Sequence, residues 1–177
     1  LTRYENEQSV EEIETPQIDS LYLVQKHKSL IKPNEPYLYS NFDEEKKRIT
    51  KQFRNSGVYH FQENYVKFDA IQNDKDHKLS IVLKIEDRTI KSGDALVKTP
   101  FTLYKISEVN VFTNSNSRKI RNQVNDSTVY KGYNFYSTGK MQYKPKALLN
   151  SIFVEKGKVY SDTDRTLTSK SLNNLQV

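Results

Sequence analysis

The sequence contains no cysteine and no tryptophan, and only 5 glycines and 5 prolines among its 177 residues. The absence of cysteine excludes disulfide bonds, thiolate metal ligands and cysteine nucleophiles. The low glycine and proline contents exclude collagen-like and low-complexity chains. Any function must therefore rest on packed modules that use no thiol chemistry.

Long apolar runs are also missing. No stretch approaches the roughly 18 apolar residues that a membrane-spanning helix needs, and the first residues lack the basic and then apolar pattern of a signal peptide. The hydrophobic share of 35% is low. A chain this polar suits two small modules better than one large domain, because small modules bury a smaller fraction of their surface.

Aromatic and charged residues are abundant. The 12 tyrosines and 8 phenylalanines favour half-buried strands. The net charge of +6 arises from 28 lysines and arginines against 22 acidic residues. It would permit binding to nucleic acid or an anionic surface, but the basic residues are spread among the acidic ones, so a solubilising surface is the simpler interpretation.

Two helices are predicted in the first half. Thr15 followed by Pro16 is typical of a helix start, and apolar residues at helical spacing extend this helix to about residue 27. Ser40 opens the second helix, and Gly57 ends it.

After this glycine the apolar period changes to two. Residues 65–70 and 79–85 alternate on either side of a polar turn, which predicts an antiparallel hairpin with one buried face. An opening strand is expected to be at best partly present in residues 1–14. Residues 87–100 are interpreted as a connection, and residues 103–112 as a strand with a bulge, since their apolar phase slips by one residue.

In the second half an aromatic hairpin is predicted around residues 128–143, as an insertion. Its strands are residues 130–136 and 141–143, and its turn is residues 137–140, which contain a glycine. Pro145 predicts a short helix through Phe153, and Ser161 with Asp164 three residues later caps a last helix.

The order strand, helix, helix, strand, strand resembles that of POTRA modules, which precede the β-barrel in BamA, TamA and related proteins of the surface antigen family. Residues 54–61 (RNSGVYHF), 104–111 (YKISEVNV), 143–148 (YKPKAL) and 160–177 are similar to the POTRA region of BamA/TamA-type outer-membrane assembly factors from Bacteroidetes. The resemblance covers nearly the whole chain, and these are scaffold motifs.

The resemblance implies an α+β fold of tandem POTRA-like modules, each with a three-stranded sheet packed on two helices. One module is expected at residues 1–92 and a second, truncated one at 93–177. The implied function is a periplasmic polypeptide-binding arm in outer-membrane protein assembly and insertion, on the periplasmic side of the Gram-negative outer membrane. The implied partners are unfolded outer-membrane proteins, assembly-machine subunits and a covalently linked β-barrel in the full-length protein.

The resemblance also places the second strand of the module at the outer edge of the sheet and the third in its centre. The candidate docking edge is therefore residues 64–71. Such an edge offers unpaired N–H and C=O groups to an extended peptide by β-augmentation. An alternative is that Lys67 guards a solvated edge against pairing. The candidate residues are Asn64, Tyr65, Val66, Lys67, Phe68 and Asp69.

A second candidate is the aromatic run in the predicted hairpin, accompanied by Lys131, Lys140 and Lys144. It would suit stacking of single-stranded nucleic acid, but no RNA-binding signature accompanies it, so a module interface is preferred and nucleic acid is not expected as a partner. A basic aromatic nucleic-acid module stays as one alternative, and a TamA-like arm that links to an inner-membrane partner or moves lipid as another. The aromatic candidates are Tyr130, Tyr133, Phe135 and Tyr136.

No enzyme motif is recognisable. The three histidines, His27, His60 and His77, fall in separate predicted elements without ligand-like spacing. Asp74 and Asp76 match part of a calcium loop, but the glycine and distal glutamate of such a loop are missing. We therefore expect a protein that is not an enzyme and needs no cofactor or metal.

Overall fold

The computed structural model of the chain describes residues 5–73, 78–113 and 124–175. The chain forms two compact units, Leu1–Thr102 and Leu103–Val177. Each unit has its own three-stranded sheet and its own core. The fold is therefore of the predicted α+β class, with helices packed on small sheets.

The first unit contains β1 (Glu5–Ile13), α1 (Pro16–Gln25), α2 (Tyr39–Arg54), β2 (Val66–Asn73) and β3 (Lys78–Ile85). Its sheet has the order β1-β3-β2, with β1 parallel and β2 antiparallel to the central β3. Both helices and the β2–β3 hairpin are confirmed. This element order, with the third strand in the centre, is the POTRA-like arrangement that the sequence predicted.

β1 is a complete strand, although at best part of one was expected. Its sequence, ENEQSVEEI, is rich in glutamate, which is poorly represented in strands. The strand pairs with β3 along its whole length, with one bulge between Asn6 and Gln8. Glu11 and Glu12 form ion pairs with Lys26 at 2.9 Å and Lys84 at 3.5 Å. Tertiary pairing therefore outweighs the weak strand propensity of this segment.

The core of the first unit lies between the helices and the sheet. β3 alternates strictly between half-buried and buried residues, as a strand with one covered face must. After α2, Gly57 adopts a φ of 97°, and the turn brings the ring of Phe61 to 4.8 Å from that of Phe53, edge to face. The larger buried cluster contains Ile18, Tyr22, Ile49, Phe53, Val58, Phe61, Val66, Leu83, Ile85 and Phe101, and a smaller one contains Ile31, Phe42, Leu79 and Ile81.

A buried ion pair lies within α2 of this unit. The carboxylate of Glu45, 1% exposed, accepts hydrogen bonds from Nε and Nη2 of Arg48 at 2.8 and 2.7 Å. It also accepts the backbone N–H of Leu30 at 3.0 Å. Arg48 donates to Gln52 at 3.0 Å, and the amide of Gln52 donates to the carbonyl oxygen of Leu21. This network joins α1, the loop after it and α2.

Residues 87–100 form a hairpin rather than the predicted connection. Its strands are β4 (Arg88–Ser92) and β5 (Ala95–Thr99). Gly93, with a φ of 62°, supplies the left-handed backbone of the two-residue turn. The side chain of Leu96 is 75% exposed. The predicted boundary at 92/93 thus falls at the turn of this hairpin, and the first unit continues to Thr102.

The base of the hairpin is fastened to the start of α1. The hydroxyl of Thr15 donates to the carboxylate of Asp87 and accepts the backbone N–H of Phe101 at 3.1 Å. Lys98 forms an ion pair with Glu14 at 2.7 Å, and this contact lowers the pKa of the Glu14 carboxyl. Thr15 does not cap α1 with its side chain, because its hydroxyl is used to hold both ends of the hairpin.

The second unit contains β6 (Asn110–Thr113), β7 (Asp126–Tyr130), β8 (Tyr133–Ser137), α3 (Pro145–Leu149) and α4 (Asp162–Asn174). Its sheet has the order β6-β8-β7, with β6 parallel and β7 antiparallel to β8. The two predicted helices are confirmed, although α3 ends before the predicted residue 153. The Ser161 side chain accepts the N–H of Asp164 at 3.2 Å, which is the predicted cap.

The strand predicted over residues 103–112 forms only at its end, as β6. The backbone of residues 104–106 pairs instead with the segment that precedes α4. Ile106 donates its N–H to the carbonyl of Lys158 at 2.8 Å, and Tyr160 donates to the carbonyl of Tyr104 at 2.9 Å. The one-residue shift in the apolar pattern of residues 103–112 therefore marks a change of pairing partner rather than a bulge.

The aromatic hairpin turns earlier than predicted. Lys131 and Gly132 have φ angles of 51° and 81°, which is typical of a two-residue type I′ turn. β7 and β8 flank this turn, whereas the predicted turn at residues 137–140 and strand at 141–143 do not form. β8 is the central strand of the unit, so the hairpin is part of the sheet.

This turn gives a stability prediction. Lys131 adopts a left-handed backbone, which costs about 1–2 kcal/mol for most L-residues and less for asparagine. We expect Lys131→Asn to raise the free energy of unfolding of the second unit by about 0.5–1 kcal/mol, measured by hydrogen exchange of its amides. Lys156→Asn removes the same charge at an exposed turn residue without positive φ. An equal gain in that control would contradict the turn argument.

Candidate functional site

The candidate edge is the outer strand β2 of the first unit. Asn64 and Tyr65 do not belong to it, because residues Glu63–Tyr65 form a turn of 3-10 helix. The ring of Tyr65 packs edge to face on Phe101 at 5.2 Å, which holds this turn against the core. Of the predicted residues, Val66 to Asp69 lie in the strand, which continues to Asn73.

The direction of each backbone group of β2 follows from the pairing of β3. Glu14 donates its N–H to the carbonyl of Ile85, so the backbone groups of Ile85 face β1. Those of Lys84 and Val82 then face β2, because successive residues of a strand point to opposite sides. Their partners across the hairpin are Lys67 and Asp69. The N–H groups of Lys67 and Asp69 therefore bond inward to β3.

The outward backbone groups of β2 belong to the residues between these. The N–H of Val66 is used by the carbonyl of Glu63. For Phe68 and Ala70, the described part of the chain supplies no outward backbone partner. Within the described residues, the N–H and carbonyl groups of Phe68 and Ala70 are thus available along the edge, at the spacing that an added strand requires.

One side of this edge is apolar. Phe68 is half-buried, and its ring meets that of Phe42 of α2 edge to face at 5.2 Å. Tyr37 lies on the other side of Phe42, with the two rings 4.9 Å apart. Ala70 is exposed. The side chains of an added strand that point toward the helices would therefore lie next to Phe68.

The other side of β2 carries paired charges. Lys67 forms an ion pair with Glu86 at 2.8 Å, and Asp69 with Lys84 at 2.9 Å. The hydrogen bond from Lys67 lowers the pKa of the Glu86 carboxyl, and the bond to Asp69 raises the pKa of Lys84. Each charge that flanks the edge thus has a counter-charge, from Lys84 of β3 or from Glu86 just after it. If Lys67 protects this edge against unwanted strand pairing, it does so while its ammonium group is paired with Glu86.

The aromatic run of the second unit is divided between two faces of its sheet. Phe135 is fully buried, and Tyr130 and Tyr133 pack against the same core. Tyr133 donates its hydroxyl to the carbonyl of Val154 at 3.1 Å, and burial raises its pKa. Tyr136 lies on the opposite face and stacks on Phe112 at 5.0 Å. Sequence analysis grouped these residues by position, but strand alternation separates them.

Other chemistry has little support in the described residues. His27 lies in a single 3-10 turn and His60 in the loop after α2, while His77, Asp74 and Asp76 lie outside the described residues. Burial, followed by the charges of Arg88 and Arg54, lowers the pKa of His60. Within residues 5–73, 78–113 and 124–175, no cluster of three or more potential metal ligands is found. The helices described there are all too short or too polar to cross a membrane.

Comparison with known proteins gives structural neighbours only. No family model matches the sequence, and no curated protein matches it. Among solved structures, the crystal structure of POTRA domains 3–5 of BamA from Haemophilus influenzae is 11% identical, with a TM-score of 0.46. The match covers 97% of this chain and 50% of that one, so this chain spans about half of its length.

Two structures of Omp85 proteins also match. POTRA domains 1–2 of the periplasmic domain from Anabaena are 10% identical, with a TM-score of 0.36, over 98% of this chain and 78% of that one. The N-terminal domain from Thermosynechococcus elongatus is 8% identical, with a TM-score of 0.26, over 99% and 87%. The POTRA-like description rests on the strand order of the first unit rather than on these scores.

Proposed function

We propose that this chain is a periplasmic polypeptide-binding arm of an outer-membrane β-barrel assembly and insertion machine. It docks unfolded outer-membrane proteins or partner subunits by β-augmentation on β2. It performs no chemistry and uses no cofactor. The arm would lie on the periplasmic side of the Gram-negative outer membrane and, in the full-length protein, would be covalently linked to a β-barrel in that membrane.

The free edge of β2 is the observation that carries this proposal. The outward N–H and C=O groups of Phe68 and Ala70 bind a backbone, which every client possesses, so they place little demand on client sequence. The ion pairs of Lys67 with Glu86 and of Asp69 with Lys84 neutralise the flanking surface. Clients of different charge can therefore dock on the same edge.

A nucleic-acid function is less well supported. Stacking of bases requires exposed aromatic faces beside a basic groove. Phe135 is instead fully buried in the core of the second unit, and Tyr130 and Tyr133 are half-buried against that core, so the run does not present a continuous row of exposed rings. The linking or lipid-moving arm of the TamA-like alternative would use the same fold, and no contact of the described residues favours it.

The sharpest test is Ala70→Pro. Proline removes the outward N–H of an exposed edge residue, and edge positions of this kind tolerate proline. A client carbonyl would then lack its partner, and we expect affinity for a urea-unfolded outer-membrane barrel protein to fall about tenfold. Binding is measured by fluorescence anisotropy of the labelled client at moderate salt.

Ala70→Val is the matched control, since it enlarges the side chain but keeps the N–H, and it should bind like the unaltered protein. Lys67→Pro would instead remove a donor within the β2–β3 ladder and destabilise the hairpin, so it cannot separate docking from folding. A folded Ala70→Pro variant with undiminished client binding would reject β2 as the docking edge. Capture of random-sequence RNA but not of the barrel protein would reject the assembly function.

A further inference from the structure

The opposite edge of the same sheet has a different form. The beginning of β1 is already covered, because Asn6 donates its N–H to the carbonyl of Glu35 at 3.0 Å and accepts the N–H of Asn34 at 2.6 Å. Glu5 forms a further bridge with Pro36. The loop that follows α1 thus occupies the first part of this edge as an added strand would.

The rest of the β1 edge is open. Because Glu14 bonds inward to β3, the backbone groups of Ile13, Glu11 and Ser9 point outward by alternation. Regular alternation would turn the backbone groups of Asn6 toward β3, but the bulge between Asn6 and Gln8 turns them outward. This agrees with the hydrogen bonds between Asn6 and the loop. In the described part of the chain, Ser9 and Glu11 have no outward backbone partner.

A cavity of about 320 Å³ lies where the covered and open parts of this edge meet. Its wall includes Ser9 of β1, Tyr22 of α1 and Ile31 of the loop. Burial, and then the charge of Glu45, raises the pKa of Tyr22 to about 12, so its hydroxyl stays protonated. The lining of the cavity therefore includes both hydroxyl groups and the apolar side chain of Ile31.

The charged groups that line this cavity are basic. They are Lys26 and Lys32, and Lys32 is 59% exposed and only loosely paired with Glu35, at 3.8 Å. Lys26 is paired with Glu11 at 2.9 Å. Glu11 and Glu35 do not line the cavity. Of the two lysines, Lys32 has the longer ion pair and is therefore the better placed to bind an anion.

These features determine how an added chain would bind. A strand that pairs with Glu11 and Ser9 cannot continue past Ser9, because the loop already pairs with Asn6. A chain that ends at this point places its terminus at the mouth of the cavity, which Ser9 lines. The lysines favour a carboxylate there over an ammonium group. The bound chain runs from Ile13 toward Ser9, which makes it antiparallel to β1.

We propose that the open part of the β1 edge and the adjoining cavity form a binding site for the free C-terminal end of an extended polypeptide. The terminal carboxylate binds near Lys32, and the last peptide groups pair with the backbone of Ser9 and Glu11. This site is separate from β2 and does not depend on docking there.

The proposal is tested with two synthetic peptides of eight residues in which threonine and valine alternate, one with a free C-terminal carboxylate and one with a C-terminal amide. Binding is followed by chemical-shift changes of the backbone amides. We expect the acid to bind about tenfold more tightly than the amide, because a charge-assisted hydrogen bond is lost in the amide. Shifts should centre on residues 9–13 and 26–33.

Lys32→Gln should remove most of the preference for the acid, whereas Lys28→Gln is the control, since Lys28 carries the same charge on the same loop but does not line the cavity. Ser9→Pro should weaken the binding of both peptides, whereas Ser9→Ala should weaken the binding of neither. Both variants are compared as folded proteins. Equal binding of acid and amide, or competition by acetate at the peptide's own affinity, would overturn the proposal. Ala70→Pro should leave peptide binding at the β1 edge unchanged. A failure of this proposal can therefore be distinguished from a failure of the docking function proposed for β2.

Discussion

Replacement of Glu45 by alanine is expected to lower the free energy of unfolding of the first unit by about 3–5 kcal/mol, the range observed when one partner of a buried ion pair is removed. The loss leaves the guanidinium of Arg48, 18% exposed, without its bidentate partner. It also leaves the backbone N–H of Leu30 without its acceptor. Urea unfolding followed by hydrogen exchange in α1 and α2 measures the change.

The same helix contains a matched control. Glu44 and Lys47 have the same spacing and a similar distance, 2.8 Å, but their side chains are 60% and 57% exposed. Glu44→Ala should therefore cost less than about 0.5 kcal/mol. The double variant Glu45→Met with Arg48→Met removes both buried charges and should recover most of the loss. Equal effects of Glu45→Ala and Glu44→Ala would show that the buried network does not stabilise the unit.

Phe135→Ala is expected to destabilise the second unit by about 3–5 kcal/mol, as for other fully buried phenylalanines. Among the residues that the structure describes, the main buried cluster of this unit consists of Val111, Phe135, Leu148 and Ile152, so the cavity left by alanine has few described neighbours that can fill it. We expect loss of amide protection in β6, β7 and β8, while the first unit keeps its own. Hydrogen exchange followed by mass spectrometry resolves the two units separately.

Two variants bracket this effect. Phe135→Leu keeps most of the volume and should cost less than about 1.5 kcal/mol. Tyr136→Ala removes the next aromatic residue, which stacks on Phe112 on the other face of the sheet, and should cost about 1 kcal/mol. If Phe135→Ala left the protection of the second unit intact, Phe135 would be available for the interface that its sequence position suggested.

The sequence was informative where local signals and burial agree. The Thr15-Pro16 start of α1 and the strict alternation of β3 each have one simple structural solution. β1 gave no such signal, because its glutamates are compatible with a strand only when Lys26 and Lys84 lie beside them. That proximity depends on the tertiary fold and cannot be inferred from a local window.

The two hairpin errors have a different origin, since both turns carry readable signals. Gly93-Asp94 separates two short runs by two residues, and Lys131-Gly132 does the same within the aromatic run. The first was missed because the flanking strands are largely exposed. The second was displaced because Gly139 offered a competing turn. Turn chemistry identified the possible sites but did not choose between them.

For the candidate edge, the sequence and the POTRA resemblance indicated the strand but not its outward groups. Which of Lys67 and Phe68 donates outward depends on the register of β2 on β3 and of β3 on β1. A shift by one residue would exchange their roles. The cavity beside Ser9 was not anticipated, because it arises from a loop distant in sequence that pairs with Asn6.

The attachment of the β4–β5 hairpin affects how the sequence of this chain can change. Asp87 and Phe101, which bracket the hairpin, meet at the single hydroxyl of Thr15. The segment between them begins and ends at one point, so residues added at Gly93 and Asp94 lengthen the hairpin without displacing the ring of Phe101 from the core. This turn is accordingly a place where the chain can acquire a longer arm, or accept an inserted domain, while the fold of the first unit is retained.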